Sequence, residues 1–221
     1  MSVIQIIPTV VPRSIEDIIR ARERYSSFAR ELHIDIADGV FAKHTTWMPE
    51  EGDQLLSTDD FSYSAHLMVL SPYDAGMRTI RAGVKTLVAH LESFADEDDA
   101  RRAFEMWRGE NVSVGVALLL ETPLAALKPI LSSVDFVHLM SIETIGTQGA
   151  PFDSGIYDRV QELHVLHPEL LIAIDGGVSE QNIEELVRAG ARRFSVGAAP
   201  LKSERSEDTY NTLKRLAESA L

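Results

Sequence analysis

The sequence contains no cysteine among its 221 residues. Disulfides, thiolate nucleophiles and cysteine-based zinc sites are therefore excluded. Positive charge is also scarce, because 21 Lys and Arg stand against 34 Asp and Glu, which gives a formal net charge of −13. This balance argues against general binding of nucleic acids or of anionic membrane surfaces, since both require a basic protein surface. A small phosphorylated ligand is compatible with it, because such a ligand needs only local hydrogen-bond donors.

Long hydrophobic runs are absent as well, and no segment approaches the length of a membrane span. The first residues, MSVIQIIPTVVPRS, are apolar but are broken by Pro8 and Pro12. They lack the basic region and the small-residue cleavage site of a signal peptide, so they are interpreted as a first strand. We expect a cytoplasmic protein, a location that the lack of cysteine permits.

The sequence instead has short apolar segments that alternate with helix-like segments, and no linker or change of composition divides it. This alternation predicts an α/β protein, a single (β/α)8 TIM barrel spanning residues 1–221, with a doubly wound open sheet as the alternative. The first strand–helix turn lacks G-x-G-x-x-G, the fingerprint of dinucleotide binding. The eight predicted strands are residues 3–9, 32–36, 63–69, 86–91, 112–119, 135–140, 170–175 and 193–197.

Several helix boundaries have sequence signals. Ser14 is a candidate N-cap with Asp17 three residues later. Helices are predicted to run from Ser71 to Gly83 and from Ser179 to Gly190, each between a capping residue and a glycine. Pro129 is expected to shorten or kink the helix after the fifth strand, because proline lacks the backbone N–H that an interior helical position donates.

Polar side chains interrupt three of the predicted strands near their carboxyl ends. In HIDIADG, residues 33–39, His33 and Asp35 are two residues apart and therefore point to the same face of the strand. His66 and Asp175 lie late in the third and seventh strands. The carboxyl ends of barrel strands share one mouth, where two imidazoles and two carboxylates make a divalent-metal site. An isolated buried carboxylate is costly, which favours a shared function for the four residues.

His90 and His138 lie on the fourth and sixth strands. A single histidine inside a barrel is more often a hydrogen-bonded core residue, and core packing is the interpretation of both. Asp38 precedes Gly39 and is interpreted as shaping the turn after the second strand.

Small residues follow the last two strands, where barrels often bind phosphate. Gly176 and Gly177 stand between the seventh strand and a helix, and Gly197 and Ala198 follow the eighth strand. Small residues let backbone N–H groups approach an anion, although any one of these glycines could equally serve only a tight turn. The segment 143–152 is predicted to be a mobile loop after the sixth strand.

The motifs HIDIADGVF, AHLMV, GVALLLETP, DFVHLM and AIDGGVSEQNI resemble those of the ribulose-phosphate 3-epimerases, in order, from Pro8 to about Ala199. Related barrel decarboxylases and hexulose-phosphate synthases carry Asp-x-Lys on the third strand, where this sequence has HLM at 66–68. The resemblance implies a metal-dependent isomerase that interconverts D-ribulose 5-phosphate and D-xylulose 5-phosphate. The expected context is carbohydrate metabolism, either the pentose phosphate pathway or carbon fixation.

The resemblance also implies roles for single residues. One divalent ion, zinc, iron, manganese or cobalt, is expected on His33, Asp35, His66 and Asp175. Asp35 and Asp175 are in addition the expected acid/base pair, which moves a proton on and off the substrate through an enediolate. A homo-oligomer with a small phosphorylated ketose as its partner is expected. The predicted substrate contacts are Thr9, His66, Met68, Met140, Gly146, Gly149, Gly176, Gly177, Gly197 and Ala198, although Met68 is equally explained by core packing.

The sequence also departs from the family. The family usually has Met at the position of Ala37, so one wall of the cavity is predicted to carry a smaller side chain here. At the position of Ala198, the family often has Ser. Residues 42–50 and the loop 143–152 also differ from the usual segments. These departures leave two alternatives open: a 3-epimerase of another ketose phosphate, such as allulose 6-phosphate, or a barrel that binds a phosphorylated sugar without turning it over.

Overall fold

The structure, a computed structural model, describes residues 3–146, 149–197 and 205–221. Eight parallel strands pair in chain order, and β8 pairs with β1 to close a barrel, which confirms the predicted TIM barrel and excludes the open sheet. The strands are β1 Gln5–Val10, β2 Glu31–Ala37, β3 Ser62–Met68, β4 Thr86–His90, β5 Ser113–Leu118, β6 Phe136–Met140, β7 Leu171–Asp175 and β8 Arg193–Val196.

Helices connect most of the strands on the outside of the barrel. They are α1 Ile15–Tyr25, α2 Tyr73–Arg81, α3 Glu97–Gly109, α4 Ile156–Leu166, α5 Ile183–Ala189 and α6 Ser206–Ser219. Irregular chain joins β2 to β3. Between β5 and β6, two 3-10 turns flank Pro129 instead of a helix, in line with the missing N–H of proline. Among the described residues, no helix has both the length and the apolar composition needed to cross a bilayer.

The predicted helix starts hold in one case and fail in two. Ser14 is the N-cap of α1, and its backbone N–H donates to Asp17 Oδ2 at 3.2 Å. The predicted start at Ser71 is wrong, because α2 begins at Tyr73 and Ser71 itself has a left-handed φ of 54°. The start at Ser179 is also wrong. The Asn182 side chain accepts from the Ser179 N–H at 2.8 Å and so closes a turn ahead of α5.

The interior of the barrel is different at its two ends. At the amino-terminal end, Arg193 lies over the Phe136 ring at 5.4 Å and donates to Gln5 Oε1 at 2.8 Å and to Glu31 Oε2 at 3.2 Å. This clamp links β8, β1 and β2. A Cβ on Gly115 would lie 2.4 Å from Phe136, so this glycine makes room for the ring. The carboxyl-terminal end holds the polar residues predicted to form the site.

Gly76 of α2 faces Trp107 of α3, and a Cβ there would lie 2.4 Å from the indole ring. We expect Gly76→Ala to lower the free energy of unfolding by about 1–3 kcal/mol, because the buried indole cannot withdraw without repacking. Equilibrium urea unfolding measures the change. Gly109→Ala is the control, since a Cβ there meets nothing within 4 Å. A Gly76→Ala protein as stable as the wild type would contradict this packing.

Candidate active site

The four residues predicted as metal ligands converge inside the carboxyl-terminal end of the barrel. Two of them, His33 and Asp35, share the inner face of β2, and strand register pairs Asp35 with His66 of β3. Asp175 ends β7 and reaches the same point through the barrel closure. The Nε2 atom of His33 lies 3.8 Å from both Asp35 Oδ1 and Asp175 Oδ2. The Nδ1 atom of His66 lies 3.8 Å from Asp35 Oδ1 and 3.3 Å from Asp175 Oδ2.

Three of these four converging atoms are buried without a hydrogen-bond partner, namely His33 Nε2, Asp35 Oδ1 and His66 Nδ1. A buried polar atom left unpaired costs about 1–3 kcal/mol, so three of them facing one point indicate a ligand between them. Imidazole nitrogens and carboxylate oxygens are common donors to divalent metals. A tetrahedral ion with bonds of about 2.0–2.2 Å would hold its donors about 3.3–3.6 Å apart, close to the separations found here. The residues therefore fit a metal ion.

His138 forms a second possible ligand set, because its ring and one donor atom each of His33, His66 and Asp175 lie within 4.8 Å of one another. However, His138 Nε2 lies 3.2 Å from Asp175 Oδ2 and donates a hydrogen bond to it. Asp35 Oδ1 has no such partner. The two sets therefore differ in that the donor atom of Asp35 is unpaired, whereas His138 is already hydrogen-bonded to the Asp175 carboxylate.

Both histidines interpreted as core residues are buried and hydrogen-bonded, but each also contacts the site, which the sequence interpretation missed. His138 bonds Asp175, and His90 Nε2 lies 2.9 Å from His66 Nε2. The alternation of side chains along β6 could have indicated the role of His138. It lies two residues before Met140, so both side chains point to the inner face of the barrel. The strand register that brings these rings to the ligands is a non-local property.

The two carboxyl groups have opposite pKa shifts. Burial and the charge of Asp175 raise the pKa of Asp35 well above its usual range. Burial also acts to raise the pKa of Asp175, but the hydrogen bond from His138 and the adjacent His66 ring outweigh it and hold this pKa well below the usual range. Burial lowers the pKa of His138 to about 4, so its ring is neutral at neutral pH. The protein's own groups thus favour one protonated and one ionised carboxyl.

A cavity of about 190 Å³ opens above the cluster, with Asp35 and Asp175 in its wall. It is lined by eight of the predicted substrate contacts: Thr9, Met68, Met140, Gly146, Gly149, Gly176, Gly177 and Gly197. His66 is fully buried within the cluster, and Ala198 lies outside the described residues. The remaining lining residues were not among the predicted substrate contacts; they are Val11, Ile142, Ala150, Val178 and Ser179.

The turn after β7 depends on its two glycines. Gly176 and Gly177 have φ angles of 108° and 63°. A Cβ on Gly176 would lie 2.6 Å from Ile142, and one on Gly177 would lie 2.9 Å from Phe152. Both the left-handed backbone and the close neighbours exclude a side chain, and the bare backbone of this turn forms part of the cavity wall.

The divergent segment after β2 is bound to the strand that carries Asp35. The Thr46 hydroxyl accepts from the Ala37 N–H at 2.8 Å and donates to the Asp35 carbonyl at 3.0 Å. Ala37 itself is buried in an apolar cluster with Met68 and Met140. Within the part of the chain that the structure describes, it does not line the cavity. Asp38 shapes the turn as expected, since its carboxylate accepts from the N–H groups of Val40, Phe41 and Leu70.

Known proteins provide an independent comparison. A sequence model described as the ribulose-phosphate 3 epimerase family matches residues 7–200. The ribulose-phosphate 3-epimerase of Treponema pallidum (strain Nichols) is 30% identical over 175 residues, which cover 77% of this chain and 78% of that protein. The enzyme of the same name from Aquifex aeolicus (strain VF5) is 30% identical over 194 residues, 86% of each chain.

Solved structures share the fold at lower identity. A 3-keto-L-gulonate-6-phosphate decarboxylase from Vibrio cholerae superposes with a TM-score of 0.71 at 10% identity, over 100% of both chains. A 3-hexulose-6-phosphate synthase from Salmonella typhimurium gives a TM-score of 0.67 at 10% identity, over 98% of this chain and 100% of that one. At these identities the likeness shows the barrel alone. The family model, by contrast, spans most of the sequence, and the chain belongs to the ribulose-phosphate 3-epimerase family and is an epimerase, as its motifs predict.

Proposed function

We propose that the protein is a metal-dependent 3-epimerase that interconverts D-ribulose 5-phosphate and D-xylulose 5-phosphate. The observation that carries this proposal is the set of facing, unpartnered donor atoms beneath a cavity with two carboxyl groups in its wall. The names of the curated relatives support the substrate class. The homo-oligomeric state, the cytoplasmic location and the single domain over residues 1–221 stay predictions from the sequence.

One divalent ion would be held by His33, Asp35, His66 and Asp175, and zinc, iron, manganese and cobalt all suit these donors. Bound there, it would supply positive charge next to the substrate's carbonyl oxygen and so stabilise the negative charge that develops when a carbon-bound proton leaves. The ligand role of His33 requires a free lone pair on Nε2. A proton on Nδ1, donated to the Ser64 hydroxyl at 2.8 Å, leaves that lone pair directed into the cluster.

Asp35 and Asp175 would carry the proton transfer. Epimerisation next to a ketone removes the proton at C3 from one face of the substrate and returns a proton to the other face. One carboxylate accepts the first proton at its oxygen, and the other carboxyl group donates from the opposite side. The opposite pKa shifts of the two groups support this division, because one favours the acid form and the other the base form. The roles exchange when the reaction runs in reverse.

The remaining lining residues would bind the rest of the sugar phosphate. Thr9 Oγ1 is buried without a partner and lines the cavity, so its hydroxyl is available to a substrate oxygen. The backbone of Gly176, Gly177 and Gly197 would take the phosphate, because bare backbone N–H groups can approach an anion closely. Met68 and Met140 would provide apolar contact with the carbon chain. Ala198 stays a prediction outside the described residues.

We expect chelation to abolish turnover of ribulose 5-phosphate and returned metal to restore it, because the cluster would lose the charge that stabilises the intermediate. A coupled assay for xylulose 5-phosphate measures this. Full turnover by the metal-free protein would contradict the metal role.

A higher kcat/KM for allulose 6-phosphate than for ribulose 5-phosphate would instead assign a hexulose phosphate as the substrate. Binding without deuterium uptake from solvent at C3 would indicate a non-catalytic barrel.

Asp35→Asn and Asp175→Asn should each lower kcat by about 10²–10⁴-fold, since each removes one member of the acid/base pair. Steady-state kinetics measure kcat, and the metal content of each variant is measured in parallel. The two measurements together distinguish a loss of proton transfer from a loss of bound metal. Asp60→Asn is the matched control, because its side chain is 88% exposed and lies in no described pocket lining. Wild-type kcat in either site variant would rule out the two-base assignment.

His138→Leu should lower kcat about tenfold, because Asp175 loses a hydrogen bond that contributes about 1–1.5 kcal/mol to its placement. The affinity for metal should fall by no more than about 10–100-fold, as for other residues that hold a ligand in place, whereas His33→Leu should lose the metal. Zinc titration against a chromophoric chelator measures both variants. Loss of metal from His138→Leu to the same extent as from His33→Leu would show that His138 is a ligand.

A further inference from the structure

A chain of hydrogen-bonding groups leads away from His66 on the side opposite the metal-ligand cluster. His66 Nε2 lies 2.9 Å from His90 Nε2, and His90 Nδ1 lies 3.3 Å from Glu92 Oε2. Both imidazole rings are fully buried, while the Glu92 side chain is 21% exposed. These three residues, here called the relay, join the end of β3 to the chain that follows β4.

Glu92 is held in place at the far end of the relay. Its Oε1 atom accepts from the Leu119 N–H at 2.9 Å and from the Thr122 hydroxyl. Arg159 of α4 in turn donates to the Thr122 carbonyl at 2.8 Å. Burial acts to raise the pKa of Glu92, but hydrogen bonds from His90 and Thr122 hold it below the usual value, so the group is ionised at neutral pH. An ionised carboxylate can only accept hydrogen bonds.

The ionised carboxylate determines which nitrogen of each imidazole in the relay carries the proton. Because Glu92 only accepts, His90 must donate from Nδ1, and the Nε2 atom of a neutral His90 then carries a lone pair. The contact between the two rings requires one N–H, which must therefore belong to His66 Nε2. The Nδ1 atom of His66 is left with a lone pair, and this is the unpartnered atom that faces Asp35 and Asp175.

We propose that Glu92 and His90 are positioning residues that hold His66 in the one tautomer able to bind a metal ion through Nδ1. The inference rests on the proposed metal site, and it assigns to Glu92 a share of the affinity for that ion. Without the carboxylate, His66 can carry its proton on Nδ1, where the proton blocks the ligand position. Outer-shell partners of this kind contribute about 10–100-fold to metal affinity.

Glu92→Gln tests the proposal, because an amide of the same shape can keep its oxygen toward Leu119 and Thr122 and turn its NH₂ group toward His90. The NH₂ group donates, so the relay reverses and the proton of His66 moves to Nδ1. We expect the Kd for zinc, measured by competition with a chelator, to rise about 10–100-fold. Glu121→Gln is the matched control, since it removes the same charge from an exposed neighbour and should leave the Kd unchanged.

A wild-type zinc Kd in folded Glu92→Gln would overturn the proposal. The tautomer is also measured directly in the wild-type protein by ¹⁵N–¹H correlation spectra of the histidine rings, which requires no variant. A proton on His66 Nε2 is expected, and one on Nδ1 would overturn the proposal even if Glu92→Gln does not fold.

His66→Ala separates this inference from the metal site itself. If its Kd equals that of the wild type, the cluster does not bind zinc, and the site and the relay's role both fail. If zinc binds to the cluster but ribulose 5-phosphate is not turned over, only the proposed substrate and reaction fail, because the Kd and the ring spectra do not depend on turnover.

Discussion

Closure of the barrel between β8 and β1 is the constraint on which the site depends. Asp35 on β2 and Asp175 on β7 reach one another through that seam, and no shorter path in the sheet connects them. The seam is bonded at its other end, where Arg193 of β8 contacts Gln5 of β1 and Glu31 of β2. These three neighbouring strands are therefore joined by polar contacts at the amino-terminal end of the barrel. At the carboxyl-terminal end, the same seam aligns the strands that carry Asp35 and Asp175.

The polar residues inside the barrel influence each other's protonation states. Burial and the charge of Asp175 favour the protonated form of Asp35, whereas the hydrogen bond from His138 helps to keep Asp175 ionised. His138 bonds one carboxylate, and the relay directs a lone pair of His66 toward both. His33, His66 and His138 each direct one ring nitrogen toward the cluster. A hydrogen bond at the other nitrogen orients His33 and His66. Such a network resists rearrangement, which is what a preorganised catalytic site requires.

The sequence predicted the features that depend on local pattern. Alternation along β2 was enough to place His33 and Asp35 on one face, and apolar segments were enough to find all eight strands. It did not predict the start of α5, because that depends on how the Asn182 side chain closes a turn, nor did it single out α4. It did not reveal the site contacts of His90 and His138, because those depend on register between strands that are far apart in the chain. The motifs thus identified the four residues that converge inside the barrel, but not the residues that support them.

The seam also has a consequence for how the protein is made. The hydrogen bond between Gln5 and Arg193 joins residues 188 positions apart in the sequence. Contacts of such long separation form late, because the intervening chain must already be largely ordered. During synthesis, the contact between the first and last strands cannot form until the eighth strand has left the ribosome, and until then Asp175 does not meet Asp35 across the seam. The polar cluster at the barrel mouth is therefore complete only after the last strand has been translated.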